Sequence, residues 1–411
     1  MDKFTKRNGI RRNRPGTTQV DLIKEKQPEI KVMAYPLNSS ICAVTAFVSQ
    51  NKLQHNAKVM HTFCPDVQLC AVVKANAYGH GAEIVTTALA KTTVNSFAVS
   101  SIDEAKMIAK RAIGKPILVT VPTHIDIERN NIAYAQKNNF HLTVASIAGF
   151  DALVKQLHPN YPKLAIHIKL DTGLGRIGIS SNQFSMLLAM IQKEKMINLC
   201  GVYTHFATTD LDSNFVATQK SIFDQIIADQ PHLQNRNIIK HACNTSGIIN
   251  FSNAHYNMVR SGIGLYGYLS GDYSRKFNLR PVMKLVAPLV QIRQLKAGQT
   301  VGYDQTYTAP KDITIGIVPI GYADGISTAL SNKGHMAIDG IPVPIIGKVS
   351  MDLTVLDISR IKQPHESMPV TVIDDNIDSP CSIGSIAALS NRSPYEVMTA
   401  LGSRIKRVLI Q

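Results

Sequence analysis

Between residues 69 and 261 the chain repeats one pattern eight times: a short apolar, β-branched run, then a polar stretch with apolar residues near 3.6-residue spacing. That is the signature of a strand followed by an amphipathic helix. The runs are LCAVVK (69–74), SFAVS (96–100), PILVTV (116–121), FHLTV (140–144), LAIHIKL (164–170), NLCGVYTH (198–205), IIKHAC (238–243) and NMVRS (257–261). Segments between them, such as AEIVTTALAK, DEAKMIAKRA, FDALVKQL, FSMLLAMIQKE and SIFDQIIADQ, carry the helical spacing. Eight such units over roughly 200 residues predict an α/β fold, a (β/α)8 TIM-type barrel. After about residue 280 the helical pattern fades, and VMKLVAPLVQIRQL, ITIGIVPIG, HMAIDGIPVPIIGKVSMDLTVLDI and MPVTVIDD read as strands broken by Gly and Pro turns. A mainly β C-terminal domain is expected there, beyond the polar stretch SGDYSRKFNLRP (270–281). The expected domains are a flexible basic extension (1–40), the barrel (41–275) and the β domain (276–411).

Composition agrees with an enzyme-sized globular chain. Its 411 residues are 45% hydrophobic and 18% charged, enough to bury a large core in two domains. The formal charge of +15 raises the question of an anionic partner, but its distribution argues against one. Residues 1–31 hold nine Lys/Arg against four Asp/Glu, and the rest has no dense basic block. With no aromatic-interleaved basic stripe, zinc finger or recognition helix, no nucleic-acid partner is expected. The six cysteines are scattered without metal-ligand spacing, so no metal is expected, and free thiols in a reducing compartment are the simpler reading. IKVMAYPLNSSICAVTAFV has the outline of an export signal, but Pro36, Asn38, Ser39 and Ser40 interrupt it. No run approaches the ~20 apolar residues of a membrane span. A cytoplasmic protein is expected; residues 1–32 read as a basic extension, with Met33 as an alternative start.

Barrels of this type carry their chemistry at the C-terminal ends of the strands. Five strands deliver polar candidates there: Lys74, Lys169, His205, Asn244 with Thr245, and Arg260. Each alone passes as a solvated strand-end charge or a hydrogen-bonded core residue; their convergence on one barrel mouth sets them apart. Lys74 follows the apolar AVV directly and precedes ANAYGHG, so its stem emerges from the core into a glycine-bearing turn. Desolvation lowers an ammonium pKa and leaves an amine suited to imine formation. Arg260 precedes SGIG, whose glycines let backbone N–H groups approach a phosphate. An imine-forming lysine beside a phosphate cradle points to pyridoxal 5′-phosphate (PLP).

Eight motifs then carry a resemblance over about residues 45–405. They are AVVKANAYGHGA (71–82), HIKLDTGLGRIGI (167–179), VYTHFATTD (202–210), HACNTSG (241–247), MVRSGIGLYG (258–267), VGYDQTYTA (301–309), PIGYADG (319–325) and GKVSMDLTVLDI (347–358). The chain resembles the bacterial, PLP-dependent alanine racemases. The resemblance implies that Lys74 carries PLP as a Schiff base and acts as one catalytic base, while Tyr303 of a partner subunit acts as the other, so that a homodimer shares its active sites. It further implies that Tyr78, Asn244, Thr245, Gly262, Ile263 and Tyr395 surround the phosphate and that Arg176 sits near the cofactor's phenolic oxygen. By the same likeness His205 links the tyrosine to Arg260, which faces the pyridine nitrogen. Lys169 matches a position that is often carbamylated. Met351 and Asp352 match substrate-site residues from the other subunit, and Tyr322 a tyrosine at the mouth of the site.

Racemisation needs a carbanion stabilised by an electron sink and flanked by two bases, which this set supplies. The function expected is interconversion of L- and D-alanine, supplying D-alanine for peptidoglycan. A broad-specificity amino-acid racemase is the nearest alternative, though KLDTG at Lys169 and the broken leader favour alanine. A non-catalytic PLP carrier is the other, and it would lack a second domain. The chain departs from the family pattern in having no tryptophan, in a poorly matching first 45 residues, and in Ser350, where some relatives have cysteine.

Overall fold

The computed structural model describes residues 43–122, 128–269 and 273–411. The expected flexible extension (1–40) lies outside the described residues. The first strand, β1 (Thr45–Ser49), leads into the helix Gln50–Thr62, capped by the Ser49 side chain accepting from the Lys52 N–H. Eight strands follow: β2 (Gln68–Val72), β3 (Val94–Val99), β4 (Ile117–Val119), β5 (Phe140–Val144), β6 (Leu164–Lys169), β7 (Ile197–Tyr203), β8 (Ile239–His241) and β9 (Met258–Ser261). They form a closed parallel barrel, in which β9 returns to pair with β2 from Gln68↔Met258 to Ala71↔Ser261. All eight coincide with the runs read from the sequence.

Four of the helices between them start where a short polar side chain satisfies free N–H groups of the first turn. Ser101 accepts from Glu104, Ser146 from Gly149, Asp212 from Asn214 and Phe215, and Asn244 from Gly247. The strands are mostly apolar because the helices cover their outer faces while side chains fill the interior. Phe97, Phe140, Leu69 and Ile117 are fully buried.

Beyond the barrel come β10 (Met283–Pro288), β11 (Gln291–Leu295), β12 (Thr300–Val301), β13 (Tyr307–Thr308), β14 (Ile313–Val318), β15 (His335–Ile338), β16 (Ile341–Pro344), β17 (Thr354–Asp357), β18 (Pro369–Ile373) and β19 (Lys406–Ile410). A six-stranded sheet runs β16-β15-β18-β10-β1-β19, beside a three-stranded sheet β11-β14-β17. The barrel is thus followed by a mainly β domain, as expected.

Two features depart from the sequence reading. β1, assigned there to the barrel segment 41–275, pairs with β10 and with β19 instead. TAFVS is apolar on both faces, and period-2 patterning cannot say which sheet buries such a strand. The helices Ile383–Ser390 and Pro394–Thr399, close to the C-terminus, also went unread. The second has a capping box, Ser393 with Glu396, which the sequence does show as S-P-Y-E.

Candidate functional site

The C-terminal ends of the barrel strands open into a cavity of about 500 Å³. Lys74, Tyr78, Lys169, Arg176, His205, Asn244, Thr245, Arg260, Gly262, Ile263 and Tyr395 all line it. The structure therefore brings together eleven of the residues picked out from the sequence. Tyr303, Tyr322, Met351 and Asp352 do not line this cavity; they stand on the β domain, with Tyr303 69% exposed and Met351 53% exposed.

Four of the lining residues are cations: Lys74, Lys169, Arg176 and Arg260. None of the four forms an ion pair with a carboxylate among the described residues. Burial holds the Lys74 ammonium pKa below its usual value, with Arg176 lowering it further. Burial, then Arg260, Arg176 and Lys74, push Lys169 down to about 8. The Tyr203 ring, reached from Lys169 at 5.6 Å and from Arg260 at 5.2 Å, offers π-electron density instead of an anion. Two of the four, Lys169 and Arg260, are buried, and a buried cation without a paired carboxylate favours a bound counter-charge. The cavity is built for an anionic ligand.

Lys74 stands at the head of an unusual turn. Ala75, Asn76, Ala77 and Tyr78 all have φ between 52° and 54°, a left-handed helical turn of non-glycine residues. Each such residue costs about 1–2 kcal/mol, so the surroundings must enforce the shape. The Glu104 carboxylate accepts from Ala75 N–H at 2.7 Å and from Ser100 N–H at 2.7 Å, and the Asn76 side chain accepts from Ala82 N–H at 2.8 Å. The turn ends by bringing Tyr78 against Gly262: a Cβ on that glycine would lie 2.5 Å from the tyrosine hydroxyl. Thr245 Oγ1 accepts from Gly262 N–H at 2.9 Å, and the Tyr78 and Tyr395 rings lie 5.9 Å apart. Hydroxyls and backbone N–H thus meet at Gly262, the first glycine of SGIG.

Arg260 organises the opposite end. Its Nη2 donates to Thr204 O (2.9 Å), Ala242 O (2.9 Å) and His205 Nδ1 (3.2 Å), and its Nη1 donates to His241 Nδ1 (2.7 Å). A guanidinium has no acceptor, so both imidazoles must accept at Nδ1 and carry their proton on Nε2. The consequence propagates. His241 Nε2–H donates to His167 Nδ1 at 2.9 Å, and His167 Nε2–H to His141 Nδ1 at 2.9 Å. One cation thereby orients three neutral rings across β8, β6 and β5. Burial keeps them neutral: it holds His241 and His167 well below the usual imidazole value and His141 at about 4. His205, also far below that value through burial and then Arg260, is left with Nε2–H as a donor.

The sequence reading missed Thr120, Val121, Ile177 and Tyr203 in the cavity wall and the chain His241–His167–His141 behind it. Two-residue alternation held the signal. His167 and Lys169, Tyr203 and His205, and His141 and Thr143 are i, i+2 pairs, so each partner faces the same side of its strand.

Comparison with known proteins settles the family. Residues 48–270 match the alanine racemase N-terminal domain and residues 282–409 the alanine racemase C-terminal domain. The chain belongs to the alanine racemase family. An alanine racemase from Staphylococcus epidermidis is 32% identical over 381 residues, 90% of this chain and 94% of that one. One from Desulfosudis oleivorans is 31% identical, covering 88% and 95% respectively. Among solved structures, the alanine racemase from Bacillus anthracis with bound L-Ala-P has a TM-score of 0.82 at 28% identity, covering 91% of this chain and 96% of that one. The biosynthetic alanine racemase from Pseudomonas aeruginosa has a TM-score of 0.77 at 26% identity, covering 90% and 99%. The barrel and β domain match this alanine racemase architecture, and the chain is an amino-acid racemase, an isomerase. Among the described residues, no helix is long and apolar enough to cross a membrane.

Proposed function

We propose that the protein interconverts L- and D-alanine with PLP bound in the barrel cavity, as part of a homodimer whose partner completes the site. The observation that carries this reading is the cavity itself: three cations without carboxylate partners among the described residues surround Lys74, whose own pKa is lowered, next to a glycine whose Cβ would fill the adjoining space. Those features fit a small phosphorylated aldehyde. When bound, PLP supplies the electron sink that makes a Cα proton removable.

The protein's own residues divide the remaining work. Lys74 would hold the cofactor and, as a neutral amine favoured by burial, move the Cα proton on one face. Tyr78, Thr245, Gly262, Ile263 and Tyr395 would take the phosphate, with Asn244 beside them. Arg176 would sit at the phenolic oxygen. Arg260 would lie at the pyridine nitrogen and, unable to give up its own proton, would favour its unprotonated form. Tyr303 of the partner subunit would serve the other face, with Met351, Asp352 and Tyr322. Its 69% exposure and absence from its own chain's cavity support delivery to a second copy. The His205 Nε2–H is the donor such a phenol or phenolate would meet.

Lys169 has the chemistry for carbamylation. At a pKa of about 8 a fraction of its amine is neutral near physiological pH. The amine lone pair adds to CO2, forming an N–C bond, and an N–H proton leaves to solvent. The resulting carbamate would turn one of four clustered cations into an anion able to grip Arg176 in a bidentate pair.

Alanine as substrate places the protein among suppliers of D-alanine for peptidoglycan, and the free cysteines suit the cytoplasm. Chiral analysis of the PLP-loaded protein given L-alanine, with L-serine, L-lysine and L-arginine in parallel, tests the reading. Conversion confined mainly to alanine is expected. Comparable conversion of the basic amino acids would replace it with a broad-specificity racemase, and no conversion despite bound PLP would leave a carrier.

A further inference from the structure

The left-handed turn that positions Lys74 and Tyr78 is fastened at its far end by a residue more than 320 positions away. The Arg407 side chain donates through Nε to Gly79 O at 3.0 Å. Its remaining contacts are also carbonyls: Gly402 O at 2.7 Å and Ile405 O at 2.7 Å through Nη1, and Leu401 O at 2.9 Å through Nη2. Among the described residues it pairs with no carboxylate, unlike its neighbour Arg404, which engages Asp324 at 3.0 Å and Asp352 at 2.8 Å. A partly buried guanidinium spent wholly on main-chain carbonyls is a clasp between segments, not an ion-pair partner.

What it clasps is the junction between the two sources of the cradle. Gly79 closes the turn with φ +78°, and a Cβ there would lie 2.1 Å from Met398 O, so the turn and the C-terminal helix meet backbone to backbone. That helix, Pro394–Thr399, carries Tyr395 into the cavity, while the turn carries Tyr78. Glu104 and Asn76 secure the beginning and flank of the turn from the barrel side. Arg407 secures its end from the β domain, where a relaxing left-handed segment would otherwise swing Tyr78 away from Gly262.

We propose that Arg407 is a positioning residue for the cofactor's phosphate: by holding Gly79 against residues 401–405 it keeps the strained turn, and hence Tyr78 and Tyr395, in a shape fit to bind. The proposal rests on the reading that the cavity takes PLP, but the clasp itself does not require the cofactor. Arg407→Met removes every donor and Arg407→Lys keeps the charge with a shorter, single-point reach. Two quantities decide, both measured on the full chain: hydrogen exchange of the amides of residues 75–81 without cofactor, and the PLP dissociation constant by absorbance titration.

In Arg407→Met, exchange in that turn is expected to rise about tenfold beyond any change in β10 or β18, and PLP affinity to fall about tenfold, as for loss of a hydrogen bond to a charged donor. Arg407→Lys should lie between. At saturating PLP, kcat should change less than the dissociation constant. A lower melting temperature with unaltered turn exchange and PLP affinity would reduce Arg407 to a staple of the C-terminus and overturn the proposal. If Arg407→Met fails to fold, the lysine variant reads the same two quantities, and wild-type behaviour in both overturns it. Failure of the wild-type chain to bind PLP would instead strike the functional reading, while the exchange comparison would still judge the clasp.

Discussion

The barrel mouth and the exposed face of the β domain hold the same kinds of residue in opposite condition. Around the cavity several candidates are held by neighbours within one chain: Arg260 by two carbonyls and two imidazoles, Gly262 by Thr245, Lys74 by a turn fixed through Glu104. On the β domain, Tyr303, Tyr322 and Met351 are exposed and do not line the barrel cavity. On the proposed reading, folding of one chain builds the cofactor site but leaves the second base unhoused. Binding should belong to the protomer and turnover to the pair.

The sharpest way to break that division is to damage each half separately. Lys74→Ala should remove activity by roughly 10³-fold or more, because both the covalent attachment and one base are lost. Tyr303→Phe should keep PLP bound and lose about 10²–10⁴-fold, the range for a missing general base or acid. Mixing the two inactive variants is more telling. Random re-pairing of a two-fold dimer gives half mixed dimers, each with one intact site, so about a quarter of wild-type activity should return. Chiral chromatography after denaturant-free subunit exchange measures it, and recovery indistinguishable from zero would show that Tyr303 serves its own chain's site or none.

The uneven legibility of the two regions follows from the same contrast. Barrel strands are short apolar runs between amphipathic helices, and a residue such as Lys74 or Arg260 at the end of one is conspicuous because everything before it is apolar. Pattern and placement therefore coincided. The β domain has no such period: β1 is apolar on both faces and its partners lie more than 230 residues further on, beyond any local signal. The roles of Tyr303 and Met351 came from motif resemblance alone. The histidine chain was hidden differently, since His141 and His167 look like ordinary interior positions until Arg260 imposes a proton direction on them.

Within the cavity, a smaller effect probes the cradle. Gly262→Ala puts a methyl 2.5 Å from the Tyr78 hydroxyl, which must swing away from the space left for a phosphate. PLP affinity should drop about tenfold, with kcat at saturation less affected. An unchanged dissociation constant would mean that the phosphate sits elsewhere.

The smallest expected effect separates the interior of the barrel from the β domain by pH. Burial holds His141 at about 4 and His167, His241 and His205 well below the usual imidazole range. A pKa lower in the folded than in the unfolded state means that the unfolded chain takes up protons first as acid is added. Their stabilising effect is therefore complete above about pH 6.5, the unfolded value, and declines as pH falls toward 4. Melting temperature should drop steadily across that window, and His141→Gln, which can still accept from His167 Nε2–H, should make the decline shallower. The same substitution at an exposed position of the β domain, His365→Gln, is the control. Equal slopes in all three proteins would show that the imidazole chain does not carry the linkage, and with it would go the argument that Arg260 fixes those rings in one neutral direction.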